Sequence, residues 1–291
     1  MFSLQQIVAQ PPRPIEIFDV GAMLEGAPRY SPFLASQTAR VTAFEPQELE
    51  RRKLESSGLP ISCFPYFWGN GGFSTFYITR YPGCCSLLEP DSSVIDLFEG
   101  IGAADAGGNF HVTHTEQVKT TRLDDISGLP EPDFIKLDIQ GAELLVLQHG
   151  TQRLSKALVV ECEVEFLPLY REQPLFGDMQ LFMLQHGFWF HRFVDMQSRS
   201  YRPFSSDNPT AGVSQPMWSD AIFVRDPSKL SRWSNEDLLL GSFLLHDVRV
   251  VRSCFTTDCR TGSPPLIESG RFLHSTAPSG VSDFCRFLIA C

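Results

Sequence analysis

The 291-residue sequence predicts an α/β fold with a doubly wound, mostly parallel sheet. Three observations carry that expectation. Short apolar segments alternate with segments of helical period along most of the chain. One of the apolar segments, 134–139, reaches an acid, Asp138, and turns through Gly141 directly into a helix, as strands do at the carboxyl edge of an open sheet. The 43% hydrophobic content is ample for the core that such a sheet requires.

The strands expected in order are 15–20, 41–45, 61–67, 134–139, 158–163, 188–194 and 221–224, each a short apolar run with β-branched or aromatic members. Helices are expected at 46–56, where Pro46 suits a first turn, and at 142–150 and 176–186, which Gly150 and Gly187 close. A further helix follows Gly26, and another spans 235–246. An insertion rich in Gly, Ser, Asp and Thr, about 70–129, separates the third and fourth main strands. Loops of that length usually carry function or structure of their own, so strands are expected at 73–79 and 116–122, with 83–108 as a candidate lid. The chain therefore divides into a lead-in (1–14), a main domain (15–230) and a C-terminal helix with a poorly ordered tail (231–291), because 249–291 shows no sustained periodicity.

A net charge of −10 argues against a nucleic-acid partner, which needs a basic surface. The densest basic cluster, Arg51, Arg52 and Lys53, reads as the solvated face of a helix. Pro11, Pro12 and Pro14 interrupt any apolar leader, and no segment approaches the roughly 20 residues that cross a bilayer; a cytoplasmic protein without a membrane span is expected. Eight cysteines without a C-x-x-C pair point to reduced thiols and away from a zinc site.

The segment FIKLDIQGAELLVLQHG at 134–150 resembles the signature of the FkbM-type methyltransferases, through Ile135, Lys136, Asp138, Gly141, Glu143, Val146, Leu147 and Gly150. Five further pieces follow in the family's order: FDVGA from Phe18, AFEP from Ala43, SLLEP from Ser86, TRLDD from Thr121 and VVECEVEFLPLY from Val159. The resemblance spans about 15–225. It implies a class I methyltransferase (Rossmann-like) fold with a seven-stranded sheet, S-adenosyl-L-methionine (SAM) as methyl donor, and O-methylation of a saccharide or another small hydroxylated acceptor.

On that footing the donor site is expected from Asp19, Gly21, Ala22 and Gly26 in the first turn, and from Glu45, 26 residues after Asp19, which can accept hydrogen bonds from ribose hydroxyls. The family more often has Asn after the Ala and Gly two residues later; here Met23 intervenes and glycine waits until Gly26. No GxGxxG is present, which disfavours a dinucleotide and hence a dehydrogenase. Phe67 and Trp68 are candidates for an adenine wall, or plain core.

Asp138 is the first candidate for general base; its simpler reading is a helix-capping acid. Glu161 and Glu163 flank Cys162 and so share a face, where one can bind acceptor hydroxyls or join Asp138 in catalysis. Lys136, Gly141, Glu143 and His111 are candidate acceptor contacts, though Glu143 also suits the dipole of a helix first turn and Lys136 also suits an ion pair. A divalent cation held by Asp138 with Glu161 or Glu163 is chemically feasible but not expected. The contrary reading is a catalytically degenerate relative that keeps the fold as a binding or assembly module.

Overall fold

The structure is a computed structural model that describes residues 10–24, 26–204 and 215–247. The expected tail at 249–291 lies outside the described residues. Among the described residues two compact units emerge: 16–24 with 41–204 and 215–225, and 10–15 with 26–40 and 226–247.

The larger unit carries a seven-stranded sheet of order β3-β2-β1-β7-β8-β10-β9. Its strands are β1 (Ile15–Val20), β2 (Ala39–Phe44), β3 (Ile61–Phe64), β7 (Phe134–Leu137), β8 (Val159–Glu165), β9 (Phe188–Arg199) and β10 (Gln215–Arg225). The pairs β2/β3, β1/β7 and β7/β8 are parallel, and β10 runs antiparallel to both β8 and β9. This is the α/β class I methyltransferase arrangement. Winding runs from β1 outward through β2 and β3, then resumes on the other side of β1 with β7 and β8. The reversal lies between β1 and β7, where open α/β sheets bind ligands.

Alternation sorts the side chains of these strands into two faces. On one, Phe18 and Val20 of β1, Ile135 and Leu137 of β7, Val160 and Cys162 of β8 and Ala221 and Phe223 of β10 form an unbroken apolar layer. Leu144, Val146 and Leu147 of α4 (Glu143–Gln148), Leu154 of α5 (Thr151–Leu154), and Met179 and Met183 of α6 (Phe176–Gln185) pack in the same cluster. On the opposite face the register gives an apolar row, Ile17, Phe134, Val159 and Val224, followed toward the carboxyl ends by Asp19, Lys136 and Glu161, and then by Glu163 beside Asp220.

The third strand ends at Phe64 rather than at residue 67, because Pro65 supplies no backbone N–H to continue the ladder. Chain pairing resumes in β4 (Phe67–Trp68), which joins β5 (Phe73–Thr79) and β6 (Val112–Thr121) in a separate three-stranded sheet of order β4-β6-β5. The insertion thus folds on itself. Between β5 and β6 it includes α3 (Ser92–Ile95), whose Ile95 packs with Cys84, Phe98, Ile101, Phe110, Leu169, Tyr170 and Met217. Strands β9 and β10 extend well past the expected 194 and 221 bounds as one long hairpin, with a register shift at Pro216 that tolerates the missing donor. Helix α2 (Glu48–Ser56) follows β2 at the expected place.

In the smaller unit, α1 (Ser31–Ala35) buries Phe33 and Leu34. Helix α7 (Asn235–Asp247) buries Leu238, Leu240, Phe243, Leu244 and Leu245. Arg13 pairs with Glu236 of that helix at 2.7 Å.

Candidate functional site

The site is built on the charged end of the sheet. Lys136 occupies the middle of the row, its Nζ 3.3 Å from Asp138 Oδ2 and 3.7 Å from Asp19 Oδ1. Burial alone would push the lysine down, but Asp138, Asp19, Glu161 and Asp220 together hold it above the ordinary lysine range. The surrounding carboxylates thus favour the charged ammonium, which links β1 to the turn after β7. Glu161, its neighbour on β8, is 1% exposed.

The turn after β7 has an unusual backbone. Gln140 and Gly141 both take positive φ, +60° and +95°. Glycine does so at no steric cost, whereas a glutamine does so only when its surroundings fix it. Four hydrogen bonds hold Gln140. Ser86 Oγ donates to its carbonyl at 2.7 Å. The Tyr170 hydroxyl donates toward its Oε1 at 3.1 Å and toward the Cys84 carbonyl at 3.0 Å. Its own Nε2 donates to Asp138 Oδ1 at 3.2 Å and to Glu163 Oε2 at 2.7 Å. Gly141 is needed for a second reason: a Cβ there would come 2.7 Å from the Gln173 amide nitrogen.

Glu163 is raised well above the ordinary carboxylate range by burial, then by Asp138, Glu165 and Glu143. Glu165 is raised in the same way by burial, Glu143 and Asp138. Glu143 is raised to about 7, chiefly by burial, although the backbone N–H groups of its own residue, Ile139 and Gly141 oppose that rise. Its Oε1 accepts from the Ile139 N–H at 2.7 Å, so the carboxylate closes the turn it follows. Asp138, 36% exposed, is the open member of the group.

The donor-side candidates lie at the ends of β1 and β2. Gly21 (φ +83°) and Ala22 direct their N–H groups at the Phe44 carbonyl, at 3.0 and 3.3 Å. A Cβ on Gly21 would meet the Asp138 carbonyl oxygen at 1.9 Å, so the space this glycine frees is filled by the chain itself. Glu45 is 3% exposed, accepts from the Gln47 N–H at 2.7 Å and is raised to about 7, mainly by burial. Gly26 (φ +121°) belongs to the smaller unit and has open space where a side chain would project. Trp68 packs edge-on against Phe44 at 4.7 Å in the main core, while its neighbour Phe67 turns to the other side and meets Phe76 at 5.0 Å. The two aromatics do not share a face.

His111 stays within the insertion, its Nδ1 3.1 Å from the Ala103 carbonyl. A cleft of about 590 Å³ also opens in the insertion, lined in part by Tyr81, Asp96, Asp105, Asn109 and Arg202, and does not reach the carboxylates around Asp138. No group of three or more metal-ligating side chains with cation geometry occurs among the described residues. No helix of the described residues is long and apolar enough to cross a membrane.

The sequence reading missed Gln140, Tyr170, Ser86 and Glu165. Each nevertheless lies within or beside a matched piece: Gln140 in the signature, Ser86 in SLLEP, and Glu165 and Tyr170 in VVECEVEFLPLY. Three pieces far apart in sequence thus converge on one amide.

Among solved structures, the chain is similar to the precorrin-6y C5,15-methyltransferase of Geobacter metallireducens, at 13% identity and a TM-score of 0.35 over 76% of this chain and 85% of that one. It is also similar to the magnesium protoporphyrin IX methyltransferase of Synechocystis with bound SAM, at 12% identity and a TM-score of 0.33 over 74% and 71%. No curated protein matches. The methyltransferase FkbM domain matches residues 19–190, more than half of the sequence and every carboxylate of the cluster up to Glu165, and the chain belongs to that family.

Proposed function

We propose that this methyltransferase uses SAM to methylate a hydroxyl of a saccharide or another small hydroxylated acceptor. The observation that carries the reading is the pairing of Asp138 and Glu163 through one amide at the carboxyl edge of the sheet, beside the ends of β1 and β2. The chemistry of the donor set fits SAM: buried carboxylates at the ends of two adjacent strands, Asp19 and Glu45, are acceptors suited to the hydroxyls and amino group of such a ligand. When bound, SAM supplies the methyl group as an electrophile on a sulfonium.

The chain's own residues then divide the work. Asp138, charge-balanced by Lys136, accepts the proton of the attacking hydroxyl. Glu163, whose carboxyl its surroundings shift upward, orients a neighbouring acceptor hydroxyl. The excess of acids, with the nearest cation already engaged by Asp19 and Asp138, supports an acceptor that is uncharged where it meets the site, and the net charge of −10 supports an acceptor other than nucleic acid.

Calorimetry with SAM tests the donor half, and mass spectrometry of a panel of glycans incubated with protein and SAM tests the transfer. A mass gain of one methyl on a hydroxyl is the expected result. Absence of SAM binding would return the chain to the binding-module reading.

A further inference from the structure

We infer that Gln140 is a positioning residue that holds Asp138 and Glu163 in one working geometry, with Tyr170 and Ser86 fixing its amide from the insertion side. The inference rests on the proposed role of Asp138 and goes beyond it, because it assigns a task to a residue that touches no reacting atom.

The geometry leaves the amide little choice. Two acceptors, Asp138 Oδ1 and Glu163 Oε2, lie within 3.2 Å of Nε2, and an amide nitrogen has two hydrogens to give. The opposite end must then accept, and the Tyr170 hydroxyl stands 3.1 Å from it. A flipped amide would put its oxygen against two carboxyls and its N–H groups against the tyrosine, losing both bonds to the acids. The main chain is pinned as well. Ser86 caps the Gln140 carbonyl, and the left-handed φ of +60° aims the side chain back across the turn toward β8. A residue held in that region at the mouth of a site is stored strain for which the local contacts must compensate.

The charges that face the pair come from every neighbouring element: Lys136 from β7, Asp19 from β1, Glu161 and Glu165 from β8, Glu143 from α4 and Asp220 from β10. Lys136 reaches Asp138 on the side away from Gln140, bonding Oδ2 while Gln140 bonds Oδ1. Among the described residues, no cation forms such a pair with Glu163. Gln140 is thus its direct polar support, and it ties two half-buried acids together.

The test reads Glu163 itself, by carbon-13 NMR titration of its side-chain carboxyl in the full chain, and needs no acceptor. Gln140→Asn keeps an amide and suits the left-handed backbone better, but it is one methylene short of bridging both acids. Gln140→Leu removes the donors outright. Both should raise the Glu163 midpoint further, by about one unit, since a carboxylate loses a hydrogen-bond donor. Tyr170→Phe, which frees the amide to turn, should raise it by a smaller amount. An unchanged or lowered midpoint in Gln140→Asn would overturn the inference, even if Gln140→Leu failed to fold. Calorimetry with SAM on the wild-type chain separates the two failures: a protein that does not bind SAM sinks the functional reading, whereas one that binds SAM with an immobile Glu163 midpoint sinks only the role of Gln140.

Discussion

The two faces of the central sheet come from the same strands, one residue out of phase, and they answer to different demands. One face is apolar across its middle, from Phe18 and Ile135 to Val160 and Phe223, and the other changes along the strand from Ile17, Phe134 and Val159 to Asp19, Lys136 and Glu161. Packing rewards uniformity, so the first face confines its polar side chains to the flanks, at Glu16 and Ser219. Chemistry needs charge in a fixed place, so the second face accepts the desolvation of several carboxyls and a lysine in exchange for groups that cannot drift. Stability and activity should therefore separate by face, and substitutions on each side measure how cleanly.

The widest separation is expected from Asp138→Asn. It is nearly isosteric, and turnover with an identified acceptor should fall by about two to four orders of magnitude, the range for a lost general base, while the melting temperature stays close to wild type. Turnover within a few-fold of wild type would leave Asp138 a structural acid. Phe18→Ala should do the reverse. Phe18 is fully buried and meets Phe44 edge-on at 5.5 Å, so its truncation should cost about 3–5 kcal/mol in denaturant unfolding. A loss below about 1 kcal/mol would mean that the apolar face can collapse around the cavity.

A smaller effect is expected at Glu45, which belongs to the charged edge but to the donor half. Glu45→Ala should weaken SAM by about 10- to 100-fold in calorimetry. Wild-type affinity should itself fall as the pH drops below about 7, because the carboxyl then protonates and loses capacity as an acceptor. Equal affinities for both proteins would remove Glu45 from the site.

The smallest effect concerns the cost of the charged face. Glu45 and Glu143 are both raised to about 7, and Glu163 and Glu165 are raised well above the usual range. A carboxyl whose folded value exceeds its unfolded one binds its proton more tightly in the folded state. Its stabilising contribution is complete below the unfolded value, near 4.5, and is lost as pH rises through the folded value, near 7. Melting temperature should accordingly decline from about pH 5 to pH 8, and Glu45→Gln should flatten part of that slope, by about 1–3 kcal/mol at the alkaline end. A melting temperature that rises over this interval would show that the acids are compensated more fully than their burial suggests.

Much of this plan was legible in the residues because alternation leaves a direct trace: β1 matched its expected bounds, and the pairing of Glu161 with Glu163 on one face followed from period two alone. Strand ends were less legible. Pro65 splits the third strand, and the β9/β10 hairpin outruns its apolar pattern because Trp218, Ser219 and Asp220 pair by backbone rather than by hydrophobicity. The site was legible as a set of acids and not as a network. Asp138, Glu163 and Lys136 announce themselves by charge, whereas Gln140 is a neutral residue whose importance arises only when Ser86 and Tyr170 arrive from 54 and 30 residues away. The same limit applies to Gly21: the glycine itself was readable, but not that the chain rather than a ligand occupies its space.

The contact between Gly21 and the Asp138 carbonyl also bears on the order in which the protein assembles. The two residues are 117 positions apart (138 − 21), so bringing them together requires closure of a long loop, and contacts of that separation form slowly. Until β7 docks beside β1, the first turn has only its bonds to the Phe44 carbonyl, and the turn carrying Asp138 lacks the surface it packs on. Neither half of the site can mature ahead of the other. During synthesis, the chain must extend past residue 138 before either half exists, and any fragment that ends within the insertion will hold a glycine shaped for a partner that has not yet been made.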